Sequence, residues 1–276
     1  MKHIDKPKIN IKDMLTEMSE SIRDSRRKGA VKKSVDFFVQ KSQEYDELAT
    51  INKLYKIPLS KTVNENLSSE DMIWLYNQKF VLGNIKAEYY DKIMSLAVNG
   101  KCPICGIGPV SNLDHYLAKS LYPTYAITPI NLVPECRDCN FNKRDTLIKS
   151  ATDSPLHPYY DEIDNRIWLV AELVKDNDNI IVRYAINSEL YNDDIILYKR
   201  LENHFILYKL NKAYSVQATT EICENMQLWH NIFSKKGQEG LKSYLKECLE
   251  SKELLQKNTW NTALLRALID NIEIIE

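Results

Sequence analysis

Two Cys-x-x-Cys pairs, Cys102/Cys105 and Cys136/Cys139, constrain this chain more than any other feature. Each pair turns two thiolates toward one point, and two such pairs read as a single tetrahedral zinc site. Four sulfur ligands leave no open coordination position, so this zinc is expected to be structural. Any chemistry nearby must come from polar side chains that the folded knuckle holds in place.

Such side chains lie between and just after the pairs. Asp114 and His115 are adjacent, Asn131 follows, and Asn140 comes directly after the last cysteine. Together they offer a hard oxygen ligand, a titratable base and two amides able to orient or ligate. Phosphodiester hydrolysis uses such a set: an oxygen-held metal neutralises charge on the phosphate, while an imidazole titrating near neutrality takes a proton from water.

The runs LDHYLAKSLYP and PINLVPECRDCN, with Lys143 beyond them, resemble the HNH endonucleases of the ββα-metal type that carry a four-cysteine zinc site. Tyr90-Asp91, the run LHPYYD at 156–161 and Trp168-Leu169 extend the likeness to a bacterial HNH subfamily over roughly residues 85–175. The resemblance implies that His115 is the general base and that Asp114 and Asn140 ligate one catalytic divalent cation. It also implies that Asn131 tethers the loop so that the imidazole faces the scissile phosphate. An amide oxygen at the third signature position is a harder ligand than imidazole, which favours Mg²⁺ or Mn²⁺ there. HNH proteins of this size resemble effectors of bacterial defence against phage, some of which work beside an ATPase, so nucleic acid and such an ATPase are the expected partners. DNA is favoured over RNA as substrate.

The expected architecture is α+β: a ββα-metal core with its zinc knuckle over residues 99–188, between helical regions at 1–98 and 189–276. At 276 residues and 44% hydrophobic, the chain can bury a core. No apolar run approaches the roughly 20 residues needed to span a bilayer, and the N-terminal MKHIDKPKIN lacks a signal peptide's apolar segment, so a cytoplasmic address is expected. Cys223 and Cys248 read as small core residues. The net charge of −1 is low for a nucleic-acid protein, so basic residues must be concentrated locally or a partner must supply them.

Apolar spacing predicts helices over 8–29 and 31–56, then a polar linker at 57–68. The cluster of Arg23, Arg26, Arg27, Lys28, Lys32 and Lys33 fits phosphate contact or, more simply, a solvated helix end. Ser68 or Ser69 with Glu70 and Asp71 signals another helix start, and a further helix is expected over 85–98, ending at Asn99-Gly100. Strands are expected at 110–113 and 130–133, with a helix after Cys139. A hairpin turning at Asp176-Asn177-Asp178 is expected to pack on the nuclease core, followed by helices with inward apolar faces.

Lys119, Arg137, Lys143 and Arg144 are the candidate phosphate contacts, although the stem of Lys143 would serve equally to cover the zinc site. His157 reads as a hydrogen-bonded structural residue or as a contact to metal or phosphate; a lone histidine is more often the former. Set against the nuclease is a zinc-stabilised module that binds nucleic acid or protein without catalysis. Such a module has no need of Asp114, His115, Asn131 and Asn140 together.

Overall fold

The computed structural model describes residues 1–177 and 179–275. Asp178, in the expected hairpin turn, lies outside the described residues. The protein is α+β and divides into two compact units: residues 3–161, and a second formed by Met1, Lys2 and the chain from Glu162 onward.

In the first unit, α1 (Ile11–Glu20) begins where Asn10 Oδ1 accepts the amide of Lys12 at 2.9 Å. It buries Met14, Leu15 and Met18 on one face. The single helix expected over 8–29 is instead two, because Asp24 caps α2 (Ser25–Lys33) by accepting the Arg27 amide at 3.1 Å. A favourable cap at that point competes with continuing the first helix. Helix α3 (Val35–Thr50) follows Ser34 and aims Phe38 and Tyr45 inward.

The linker ends at α4 (Ser69–Trp74), where Ser68 and Asp71 form a reciprocal capping box. This helix runs on as a π-helical segment, Leu75–Val81, that buries Leu75, Tyr76 and Phe80. Asp71 also receives Arg26 at 2.6 and 3.2 Å and Arg27 Nε at 2.9 Å. Lys28 and Lys32 pair with Glu20, so four members of the N-terminal basic cluster are engaged within the fold. Helix α5 is shorter than expected, Tyr90–Met94.

Strands β1 (Asn112–His115) and β2 (Leu132–Glu135) form an antiparallel pair, with Asp114 opposite Val133 and His115 opposite Leu132. Both begin two residues later than expected. Val110 is held by its amide to Gly100 O at 2.9 Å, and Pro129–Asn131 is a 3₁₀ turn. Helix α6 (Arg137–Lys143) follows at once.

A two-stranded ribbon is marginal alone, and both of its outer edges need partners. Tyrosines supply several of them. Tyr76 Oη donates to Leu113 O at 3.0 Å, Tyr90 Oη accepts from Leu113 N at 3.2 Å, and Tyr159 Oη donates to Leu132 O at 2.7 Å. Leu113 and Leu132 share one hydrophobic core with Met14, Phe38, Met72 and Phe80. The N-terminal helices, expected as a separate region, therefore belong to the same unit as the cysteine segment.

In the second unit, β3 (Leu169–Asp176) and β4 (Asn179–Ile186) form an antiparallel hairpin. Val182, Tyr184 and Ile186 alternate inward. Helices α7 (Leu190–Asp193) and α8 (Ile195–Leu207) lead to α9 (Leu210–Glu253), which bends at Gly237, and to α10 (Trp260–Asp270). The hairpin, expected to pack on the nuclease core, belongs to this second unit and packs on α9 and α10. Buried Asn258 fixes its start, accepting the Trp168 amide at 2.8 Å and donating to Arg166 O at 2.7 Å. Cys223 is exposed and Cys248 half-buried, a correction to their expected core placement. The inward stripe of α9 is Tyr214, Ala218, Ile222 and Trp229, which leaves Cys223 one position off the buried face. Among the described residues, no helix is long and apolar enough to cross a membrane.

Candidate active site

The four cysteines meet as read from their spacing. The Sγ atoms of Cys102, Cys105, Cys136 and Cys139 are buried and lie within 4.8 Å of one another. Zinc–sulfur bonds of about 2.3 Å at tetrahedral angles would set sulfurs about 3.8 Å apart. Cys105 and Cys136 are separated by 3.8 Å. The cluster is therefore sized for one structural ion such as zinc.

Backbone geometry explains how it closes. Gly106 takes φ +72°, open to glycine at no steric cost, and the Cys105 sulfur accepts the Ile107 amide at 3.5 Å. A Cβ on Gly108 would lie 2.8 Å from Cys136 Cβ, so only glycine lets the two knuckles approach. Cys136 also accepts the Asn140 amide at 3.1 Å, which ties the start of α6 to the knuckle.

From this base the hairpin presents Asp114 and His115. The His115 ring is 4% exposed and lies edge-on to Tyr76, with centroids 4.5 Å apart. Its Nε2 is 2.8 Å from the carbonyl oxygen of Ala126. A carbonyl can only accept, so Nε2 carries the proton and the lone pair is on Nδ1. Burial, and after it the nearby Lys119 ammonium, lower the imidazole pKa to about 3. The near-neutral titration expected for this residue is thus replaced by a histidine that is neutral at physiological pH.

Asn131 is fully buried and makes four hydrogen bonds. Its Oδ1 accepts from Leu117 N at 2.8 Å and from Tyr45 Oη at 3.1 Å; its Nδ2 donates to Leu117 O at 3.1 Å and Tyr125 O at 3.0 Å. Both ends of the loop between the strands are thereby pinned to one amide. His157 stands behind it: Nδ1 accepts the Tyr159 amide at 3.3 Å, so Nε2 carries hydrogen toward Tyr45 Oη, 3.2 Å away. Its ring stacks on Tyr116 with centroids 4.2 Å apart. His157 is thus one link in a chain from imidazole through phenol to Asn131.

Lys143 is turned inward, a correction to its place among the phosphate contacts. It is 3% exposed, its ammonium is 2.8 Å from Asp114 Oδ2, and it also donates to the carbonyl of His115. Lys143 lies three residues after half-buried Asn140 on α6. Lys119 is half-buried with its ammonium 4.3 Å from the centre of the Tyr76 ring. Burial holds that ammonium below the usual lysine range. Arg137 is exposed on α6, and Arg144, exposed just after its end, lies over Phe141.

Three contributors escaped the sequence reading: Tyr45, Tyr76 and Glu135. Glu135 is 1% exposed at the end of β2, and burial, then the Asp114 charge, push its carboxyl well above the usual range. Sixteen tyrosines against six phenylalanines were the available signal, since buried phenols are chosen where a backbone group needs a partner.

No family model matches this chain, and no solved structure matches it. It is similar to Protein ea31 of Escherichia phage lambda, 28% identical over 234 residues, covering 81% of this chain and 78% of that protein.

Proposed function

We propose that the chain is a metal-dependent endonuclease of the HNH type, with β1, β2 and α6 as its ββα-metal core and zinc at the four cysteines. The observation that carries this reading is the His115 hydrogen bond. Donation from Nε2 to the loop carbonyl of Ala126 makes Nδ1 the basic nitrogen. Asn131, with all four of its hydrogen bonds made, holds the loop that carries this carbonyl.

In this account Asp114 and Asn140 are the oxygen ligands, a donor set that suits Mg²⁺ or Mn²⁺. Such a cation, when bound, neutralises charge on the phosphate and its leaving oxygen. His115 Nδ1 takes the proton of the attacking water. An anionic phosphate beside the ring raises its proton affinity above the value set by burial alone. Lys119, Arg137 and Arg144 contact phosphate oxygens and position the strand, with DNA as the substrate. On resemblance we place the protein among defence effectors that act beside an ATPase; a monomer fully active alone would contradict that assignment.

One observation favours a second reading, a zinc-stabilised binding module without catalysis. Lys143 already neutralises Asp114, as a hairpin without a divalent ion would require. Incubation of the zinc-loaded chain with plasmid, single-stranded DNA and RNA separates the two. The nuclease reading expects cleavage with Mg²⁺ or Mn²⁺ that EDTA stops. Binding without cleavage under every condition would leave the module.

A further inference from the structure

Glu135 Oε2 is buried and has no hydrogen-bond partner among the described residues. A carboxylate oxygen so placed costs free energy, and its position asks for a physical reason. The hairpin register supplies one. Asn112 pairs with Glu135 and Asp114 with Val133, so the side chains of Asp114 and Glu135 project from the same sheet face as diagonal neighbours. Asp114 and Lys143 are the charged groups that act most strongly on Glu135. The Lys143 ammonium is buried at that face, 2.8 Å from Asp114 Oδ2. The ammonium thus pairs with Asp114, while Glu135 on the same face keeps one oxygen without a partner among the described residues.

Hard divalent cations are held by several oxygens, and sites with two carboxylates bind them better than sites with one. Lysine provides a single compact positive charge on a flexible stem, able to occupy such a place and to leave it. Resting on the nuclease reading for the task of the ion, we infer that Glu135 is a further protein ligand of the divalent cation held by Asp114. In the same exchange Lys143 is a built-in cation that fills the site until the divalent ion displaces it. The swap replaces one positive charge by two between two carboxylates. It also gives that oxygen of Glu135 a bond.

The test uses the zinc-loaded full chain and Mn²⁺ as the probe. Glu135→Gln keeps shape and hydrogen-bonding capacity while removing the charge. It should weaken Mn²⁺ binding in calorimetry or electron paramagnetic resonance by roughly tenfold or more, with zinc content and circular dichroism unchanged. Unchanged Mn²⁺ affinity in a folded Glu135→Gln chain overturns the ligand assignment. A second measurement needs no variant: amine labelling of the wild-type chain, read by mass spectrometry, with and without Mn²⁺. Lys143 should be protected alone and labelled with Mn²⁺, while exposed Lys149 serves as the reference. Equal labelling in both states overturns the displacement. Both readouts report binding rather than cleavage. A chain that binds Mn²⁺ through Glu135 yet cuts nothing supports this inference and sinks the nuclease reading. A chain that cuts while Glu135→Gln binds Mn²⁺ normally does the reverse.

Discussion

Replacing Tyr45 by Phe removes one hydroxyl from the centre of the loop anchor and nothing else. Tyr45 is 0% exposed, and its Oη bridges Asn131 Oδ1 at 3.1 Å and His157 Nε2 at 3.2 Å. The bond to Asn131 is a neutral one, worth about 1 kcal/mol net. Asn131 Oδ1 keeps its bond from Leu117, so its loss stops there. The His157 Nε2–H bond loses its acceptor at a buried position, which adds about 1–2 kcal/mol for an unsatisfied donor. The ring stays, so no cavity beyond one oxygen forms. The sum is about 2–3 kcal/mol, large for a single atom. Urea unfolding of Tyr45→Phe beside Tyr191→Phe measures it, because Tyr191 is 47% exposed and should change stability by less than about 0.5 kcal/mol. The midpoint for Tyr45→Phe should fall with an unchanged slope. A loss below about 0.5 kcal/mol would show that the imidazole–phenol–amide chain contributes nothing to holding the loop.

Gly108→Ala places a methyl 2.8 Å from Cys136 Cβ, so the purified variant should carry markedly less zinc by atomic absorption than wild type; full occupancy would contradict the close-approach account. Cys136→Ser should lose the ion and unfold the segment it organises, read as a lost zinc signal and a shifted circular dichroism spectrum. Asp71→Asn should cost about 2 kcal/mol at pH 7, because a charged acceptor with two arginine partners is lost. Those arginines hold the Asp71 carboxyl well below the usual range, so its stabilisation is present above the unfolded pKa of about 3.9. It is lost as pH falls through the lower folded value. The stability gap between Asp71→Asn and wild type should therefore narrow below about pH 4; a gap constant with pH would contradict the ion-pair explanation.

The readable parts of this chain are those whose chemistry is local. Cys102, Cys105, Cys136 and Cys139 converge because each Cys-x-x-Cys turn sets its own sulfur geometry, so only one long-range pairing had to be inferred. Asn131 bonds to Leu117 and Tyr125, both within the loop it closes and close to it in sequence. Contacts made across long separations left no local trace. Tyr45 reaches Asn131 over 86 residues and His157 over 112, and no periodicity in α3 distinguishes it from an ordinary core tyrosine. The same limit misdirected the β3–β4 hairpin: its alternation marks one buried face but not which helices cover it. Lys143 misled for a different reason. A long cationic side chain close in sequence to Asp114 and His115 looks like a phosphate contact, and only the placement of Asp114 on β1 against α6 shows that it turns inward. The helix break at Asp24 was visible as a capping residue but lost to an apolar spacing that runs through it.

The central claim is that this hairpin and helix, fixed to a sulfur-held ion, present a histidine base to a phosphodiester. Its most direct measurement is the rate of DNA cleavage by wild type and His115→Ala, both zinc-loaded, in Mn²⁺. Removing a general base predicts a fall of about 100-fold or more with zinc content and fold intact. Equal rates for the two proteins, or no cleavage by wild type on any nucleic acid, would contradict the claim.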